Sequence, residues 1–408
     1  MGFPNVLSFR PLVPLFFAAL TGITVRAFTT GGRRFVSSLS SRWRLGRRGQ
    51  PTMSASSDNT GNPLASFGLI ADVQYADLEN GSDFAKTRTR YYRNSLKILE
   101  EAVDWWKERN LSCVVQLGDV IDGKNSACNQ SHTALDTVLS SFKRTGVPVF
   151  HMLGNHEFYN FSRDQLRSLL FKETGQEAFY SFPLCRGWRA VVLDPYDISV
   201  LGHPKGSTQW KIGAEILHRK NPETLKEGGK WLANVRGRDR RFLPYNGAIG
   251  AVQLQWLREE LQTAEEVEER VVVFCHVPLL PMATKDVTVL WNYEEVLGVL
   301  GETGSAAAVF AGHDHDGGYF LDSNGIHHVT VASPLECEPE TGEAAFGCVH
   351  LFRDGLEVEG RGKVTSVFLQ AKRGKGAVGG GRGDTVEVKT VGAISASGAS
   401  AEEVAHRL

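Results

Sequence analysis

The stretch Ala307-Ala308-Val309-Phe310-Ala311-Gly312-His313-Asp314-His315 is a continuous apolar run that ends on a glycine and two imidazoles. Five more runs in the chain share its design. Phe67-Gly68-Leu69-Ile70-Ala71 leads to Asp72 and Gln74, and Cys113-Val114-Val115-Gln116-Leu117 leads to Gly118-Asp119, with Asp122 and Gly123 beyond. The run from Val147 to Leu153 delivers Gly154-Asn155-His156-Glu157. Val271-Val272-Val273-Phe274-Cys275 delivers His276, and Ala190-Val191-Val192-Leu193 ends on Asp194. Short apolar, β-branched runs of this kind read as strands buried on both faces. Ligands of open α/β sheets bind beyond the carboxyl ends of such strands. Oxygen and imidazole donors at those ends therefore point to a metal site.

Between the runs, Thr89 to Arg109 places Leu96, Leu99, Val103 and Trp106 at helical spacing, with Lys97, Glu100, Glu101 and Glu108 elsewhere around the wheel. That pattern is an amphipathic helix lying on a sheet. Further helices are expected at Ala134 to Arg144 and Ala251 to Leu261. Strands alternating with helices indicate α/β architecture. The polar segment from Thr208 to Asn246 reads as a long ordered loop, and such loops often wall a site.

The ends of the chain differ from its middle. Residues 1–57 carry eight arginines and no acidic residue, whereas the 408-residue chain has 45 basic and 46 acidic residues. Without that segment the balance is 37 (45 less 8) against 46, a net charge of -9. An acidic body with no basic, aromatic-interleaved patch argues against nucleic-acid binding. The apolar stretch from Pro11 to Val25 is interrupted by Pro14 and is shorter than the ~20 residues of a membrane span, so no integral span is expected. It reads as the core of a signal peptide, and the Arg- and Ser-rich stretch from Thr29 to Ser57 as a transit peptide. Together they resemble the two-part leaders of algae with complex plastids, which makes an organelle, the plastid, the expected location; a tail on a cytosolic protein is the alternative. Met53 is a second possible start. Residues 65–371 are expected to form the folded domain, and 372–408 a Gly- and Ser-rich disordered tail. The six cysteines include no C-x-x-C pair, so reduced thiols are expected.

Asp72-x-Gln74, Gly118-Asp119-x-x-Asp122-Gly123, Gly154-Asn155-His156-Glu157, His276 and Gly312-His313-x-His315 form the donor set. Each signal alone is weak, but five at strand ends in one chain point to a dinuclear centre. The pattern resembles the calcineurin-like metallophosphoesterases. That resemblance implies a four-layer α/β/β/α sandwich of two mixed sheets flanked by helices. It also implies that Asp119 bridges two metals, that Asp72, Gln74 and His315 complete one shell, and that Asn155, His276 and His313 complete the other. His156 would face the substrate, as a proton donor or a charge stabiliser. Gln74 stands where the superfamily usually has His, and its harder amide oxygen favours manganese, with magnesium also compatible, over zinc.

Within that superfamily the chain is similar to the manganese-dependent ADP-ribose/CDP-alcohol diphosphatases. The matching segments are Ile70 to Asp77, Arg90-Tyr91-Tyr92-Arg93, Tyr245-Asn246-Gly247, Trp291-Asn292-Tyr293 and Gly312 to Tyr319. The resemblance implies a monomeric hydrolase that acts on a small nucleoside-diphosphate-linked substrate at its phosphoanhydride. Alternatives are another phosphodiesterase of the same fold, such as a cyclic-nucleotide enzyme, or a non-catalytic scaffold. Phe84, Asn246 and Tyr293 are candidate substrate contacts. Asp314, Asp316 and Glu157 read as supporting residues.

Overall fold

The structure, a computed structural model, describes residues 61–83, 86–171 and 178–372. The expected leader, Met53, Phe84 and all but the first residue of the expected tail lie outside the described residues. Two six-stranded sheets form the centre. The first has the order β14-β13-β12-β1-β4-β5, built from β1 (Ala65–Ile70), β4 (Cys113–Gln116), β5 (Val149–His151), β12 (Ala345–Leu351), β13 (Gly355–Gly362) and β14 (Val367–Gln370). The second runs β10-β11-β9-β8-β7-β6, built from β6 (Tyr180–Cys185), β7 (Trp188–Leu193), β8 (Arg270–Cys275), β9 (Ala306–Ala311), β10 (Gly318–Leu321) and β11 (His327–Thr330). A small hairpin pairs β2 (Gly81–Ser82) with β3 (Thr89–Arg90).

Each of the six apolar runs forms a strand. Parallel pairing sets β1 beside β4 and β4 beside β5, and likewise β7 beside β8 and β8 beside β9. Antiparallel pairing adds β12, β13 and β14 to one side of the first sheet and β6 and β10 to the two edges of the second, so both sheets are mixed.

Period-two alternation decides what each side chain touches. Ala190, Val192, Val272, Phe274, Ala308 and Phe310 join Phe67 and Leu69 in a core between the sheets. Phe67 meets Phe274 edge-on, with ring centroids 5.7 Å apart. The intervening Val191, Leu193, Val271, Val273 and Val309 belong to a second cluster with residues of α7 (Ala251–Glu266) and α8 (Tyr293–Glu302). Helices α1 (Tyr92–Lys107) and α3 (Ser131–Lys143) cover the other sheet. This is the four-layer sandwich. Each fully buried Leu or Phe in these layers contributes on the order of 1.5–3 kcal/mol. Gly68 is required under α1: a Cβ there would lie 2.8 Å from the indole of Trp106, whose N–H donates to Gly347 O at 2.9 Å. The short helices α2 (Lys124–Ala127), α4 (Asn155–Asn160) and α5 (Arg163–Leu170) carry the loops around the strand ends.

Two expectations change. The helix expected from Thr89 begins at Tyr92, because Thr89 and Arg90 pair with the hairpin and Tyr91 N–H donates to Leu335 O at 2.8 Å. The segment from Thr208 to Asn246 is not a plain loop. It opens with α6 (Thr208–Lys220), whose start is capped by Ser207 Oγ accepting from Trp210 N–H, and 3-10 turns follow at Pro222–Leu225 and Gly237–Arg241. Only Gly213 and Leu217 of α6 are buried, and its apolar residues Trp210, Ile212, Ala214 and Ile216 fall at every second position, so the sequence shows no helical period.

Candidate metal centre

The predicted donors leave their strands through strained turns. Asp72, Gln74, Asp119 and His313 all have positive φ (51°, 41°, 56° and 68°), a region costly for residues with a Cβ. Tight reversal there turns the side chains back over the sheet edge instead of continuing the strand. The glycines of the motifs leave room for them. A Cβ on Gly154 would overlap Asp119 Oδ1, one on Gly118 would lie 2.5 Å from His276 Nδ1, and one on Gly312 would lie 2.5 Å from Asp72 Oδ2. Close packing of turns against donors is thus written into the three Gly positions.

Six of the donors converge. Asp119 Oδ2 lies 3.1 Å from Gln74 Nε2 and 3.4 Å from His276 Nε2. His276 Nε2 lies 3.2 Å from His313 Nδ1, and His315 Nε2 is 3.0 Å from Gln74 Nε2 and 3.6 Å from Asp72 Oδ1. Asp119, His276 and His313 present donor atoms within 4.8 Å of one another.

The opposite edge of every imidazole is fixed. His276 Nδ1 faces Leu117 O at 2.7 Å, His313 Nε2 faces Asn246 Oδ1 at 2.7 Å, and His315 Nδ1 faces Glu336 Oε1 at 2.9 Å. Each partner is an acceptor, so each of these ring nitrogens carries its proton and the inward nitrogen offers its lone pair. Three inward ring nitrogens and two carboxylates then meet in one cluster, where His276 can offer its lone pair to a cation once its proton leaves. Gln74 Oε1 is buried there without a hydrogen-bond partner. A donor set of this kind fits divalent cations and little else.

The charges answer to the same geometry. Burial pushes Asp72 up to about 6. Burial also opposes charge on Asp119 and on His276, but their mutual attraction outweighs it: Asp119 is held well below the usual carboxylate range, and His276 is lifted to about 9. Burial and the neighbouring His276 drive His313 far down, so it stays neutral.

A calcineurin-like phosphoesterase description matches residues 65–317. The chain belongs to that family. It is 41% identical over 311 residues to the manganese-dependent ADP-ribose/CDP-alcohol diphosphatase of Arabidopsis thaliana, covering 76% of this chain and 97% of that protein. Its identity to the human protein of the same name is 39% over 342 residues, covering 79% and 97%. A crystal structure of a dimetal phosphatase from Danio rerio superposes with a TM-score of 0.73 at 39% identity, covering 76% of this chain and all of that one.

In this phosphoesterase, α4 starts at the Gly-Asn-His-Glu turn. Glu157 Oε2 accepts from Gly154 N–H (2.6 Å) and Asp119 N–H (2.8 Å), and Oε1 accepts from Val120 N–H (2.7 Å). One buried carboxylate thereby ties the Asp119 turn to the Asn155 turn, and burial raises its pKa. His156 N–H donates to Asp119 Oδ1 at 2.7 Å. The His156 ring accepts at Nδ1 from Gly123 N–H at 2.8 Å, which leaves its proton on Nε2. Asn155 is buried, with Oδ1 accepting from Tyr196 O–H at 3.3 Å.

The candidate substrate contacts fare differently. Asn246 is fully buried; its amide donates to Arg241 O and Val287 O, both at 2.8 Å, and its oxygen holds His313, so no donor is left for a substrate. The Tyr293 hydroxyl accepts from Arg238 at 2.8 Å, and its ring packs in the cluster under α8. Phe84 is outside the described residues. Asp194, at the sixth strand end, is bound by Arg163 at 2.7 Å and supports the Tyr196 turn instead of joining the donors. Asp314 accepts from Lys285 and Thr284, and Asp316 pairs with Arg88 and Lys285, as supporting residues would. Sequence reading missed Glu336 and Tyr196. Glu336 follows no strand-end motif, whereas Tyr196 lies two residues beyond Asp194, where the carboxylate and not the phenol is the apparent donor.

Proposed function

We propose that the phosphoesterase hydrolyses the phosphoanhydride of ADP-ribose and CDP-alcohols, yielding AMP with ribose 5-phosphate, or CMP with the phospho-alcohol. The convergence of inward lone pairs and carboxylates around Asp119 carries this reading. Asp72, Gln74, His315 and Asp119 would hold one manganese ion, and Asp119, Asn155, His276 and His313 the other. Two such ions supply Lewis-acid stabilisation of phosphoryl charge and make hydroxide available near neutral pH.

The remaining steps belong to the chain. Two carboxylates against two divalent ions leave the pocket cationic, which favours an anionic diphosphate over neutral esters. Glu157, Gly118 and Gly154 hold the Asp119 and Asn155 turns in register, and Gly312 makes room for Asp72. Nε2–H of His156 donates to a phosphoryl oxygen as charge builds. Because Nδ1 already accepts from Gly123, the ring acts as a neutral donor more than as an imidazolium acid. Removing one such donor costs on the order of 10²–10³ in rate.

The test is a substrate panel with the manganese-loaded protein, scored by the nucleotide released. ADP-ribose and CDP-choline should give AMP and CMP; exclusive turnover of cyclic nucleotides would overturn the reading. His156→Ala should lower hydrolysis of a p-nitrophenyl ester and of an alkyl diester by similar factors. A selective loss on the poor leaving group would make His156 a proton donor.

A further inference from the structure

The short turn Pro334–Glu336 and the Ser333 before it lie beyond the residues matched to the family description, yet together they contact both Asp72 and His315. Ser333 Oγ donates to Asp72 O at 2.8 Å, and Ser333 N–H donates to His315 O at 3.1 Å. Leu335 O accepts from Tyr91 N–H, beside the β2–β3 hairpin. Glu336 completes the strap. Its Oε1 takes His315 Nδ1 at 2.9 Å and its Oε2 takes Arg88 Nη1 at 3.0 Å.

Arg88 stands at the base of that hairpin. Asp83 fixes the loop from within by accepting from Thr87 N–H (2.7 Å), Thr87 Oγ1 (2.9 Å) and Arg88 N–H (3.1 Å). The other side of the Arg88 guanidinium pairs with Asp316, which also meets Lys285. The Glu336 side chain is 9% exposed and that of Arg88 42% exposed, so the inner half of this relay is shielded from water and its outer half is not.

We infer that Glu336 is a positioning residue for the metal-binding tautomer of His315, and that Arg88 couples the β2–β3 hairpin to that same ligand. This rests on the two-ion site proposed above. A carboxylate on the outer nitrogen of a metal-binding His fixes ring orientation and raises donor strength, and removing such partners typically costs 10–100-fold in metal affinity. Because His315 is the one donor residue whose ring Glu336 contacts, the loss falls on one of two ions. Because Arg88 holds Glu336, anything that fixes the hairpin also fixes His315.

The experiment titrates chelator-treated full-length protein with manganese alone, following free Mn²⁺ by electron paramagnetic resonance. Glu336→Ala should leave one manganese bound as in the parent and weaken the other 10–100-fold, with Glu336→Gln, which keeps an acceptor, falling between. Arg88→Met should weaken the same site, but less than Glu336→Ala does. Asp119→Ala separates this inference from the site reading: it should weaken both ions. Two ions bound with parent affinity in Glu336→Ala, while Asp119→Ala loses both, would overturn the role of Glu336 alone. Parent-like manganese binding in Asp119→Ala would overturn the site itself. Thermal unfolding in chelator guards against misfolding, and Glu336→Gln keeps the test valid if the alanine variant does not fold.

Discussion

Asn246 should act on metal binding and not on substrate, and paired substitutions can show it. Its oxygen accepts from His313 Nε2 at 2.7 Å and its amide donates to Arg241 O and Val287 O at 2.8 Å each. Asn246→Leu fills a similar volume but satisfies none of the three. Each buried polar group left unpaired costs on the order of 1–3 kcal/mol, so the variant should lose about 3 kcal/mol even after local relaxation. His313 is then free to rotate or change tautomer, and manganese affinity should fall 10–100-fold, about 1.4–2.7 kcal/mol. Asn246→Asp divides the two effects. It retains an acceptor for His313 but faces two carbonyls with a carboxylate, so it should lose stability while holding manganese at least as well as Asn246→Leu does. The assays are manganese titration, thermal unfolding in chelator, and steady-state kinetics at saturating manganese. A tenfold rise in KM for Asn246→Leu with unchanged manganese affinity would refute the argument and return Asn246 to the substrate.

Other outcomes follow from the same contacts. Gly154→Ala should abolish most activity and cost about 1–3 kcal/mol, because its Cβ would overlap Asp119 Oδ1 and lie 2.7 Å from the Asp119 backbone nitrogen; parent-like turnover would contradict the close-packed turn. Gly298→Ala, in exposed α8 backbone with nothing within 4 Å of the new Cβ, should instead stabilise by about 0.5–1 kcal/mol, read as a higher Tm. Chelator-treated protein should lose stability as pH rises from about 6.5 to about 9. His276 has its folded pKa raised to about 9 by Asp119 against the opposing effect of burial, so the proton contributes stability below the unfolded value of about 6.5 that is gone above pH 9. Manganese displaces that proton, so binding at pH 7.5 should release about one proton in calorimetry across buffers of different ionisation enthalpy; zero release would refute the assignment.

The donor set was legible in the sequence because each donor sits one to four residues beyond a buried strand, and strands of this kind announce themselves by apolar content alone. Asp72, Gln74, Asp119, His276, His313 and His315, the six that the fold brings together, were each named from their own strand end and gained weight from one another. The same locality explains what was missed. Helix α6 sets Trp210, Ile212, Ala214 and Ile216 at every second position, which hides its helical period, and Glu336 follows no apolar run that ends on donors.

What the tertiary structure decided is which nitrogen of each imidazole faces inward. His276 is set by Leu117 O, His313 by Asn246 and His315 by Glu336, partners 159, 67 and 21 residues away in the chain. A proton goes to whichever ring edge meets an acceptor, and only the packing of two sheets brings those acceptors to those edges. The sequence by itself names the atoms that can bind a cation. The fold chooses their protonation and their direction, and it turns Asn246, by sequence only a candidate substrate contact, toward His313.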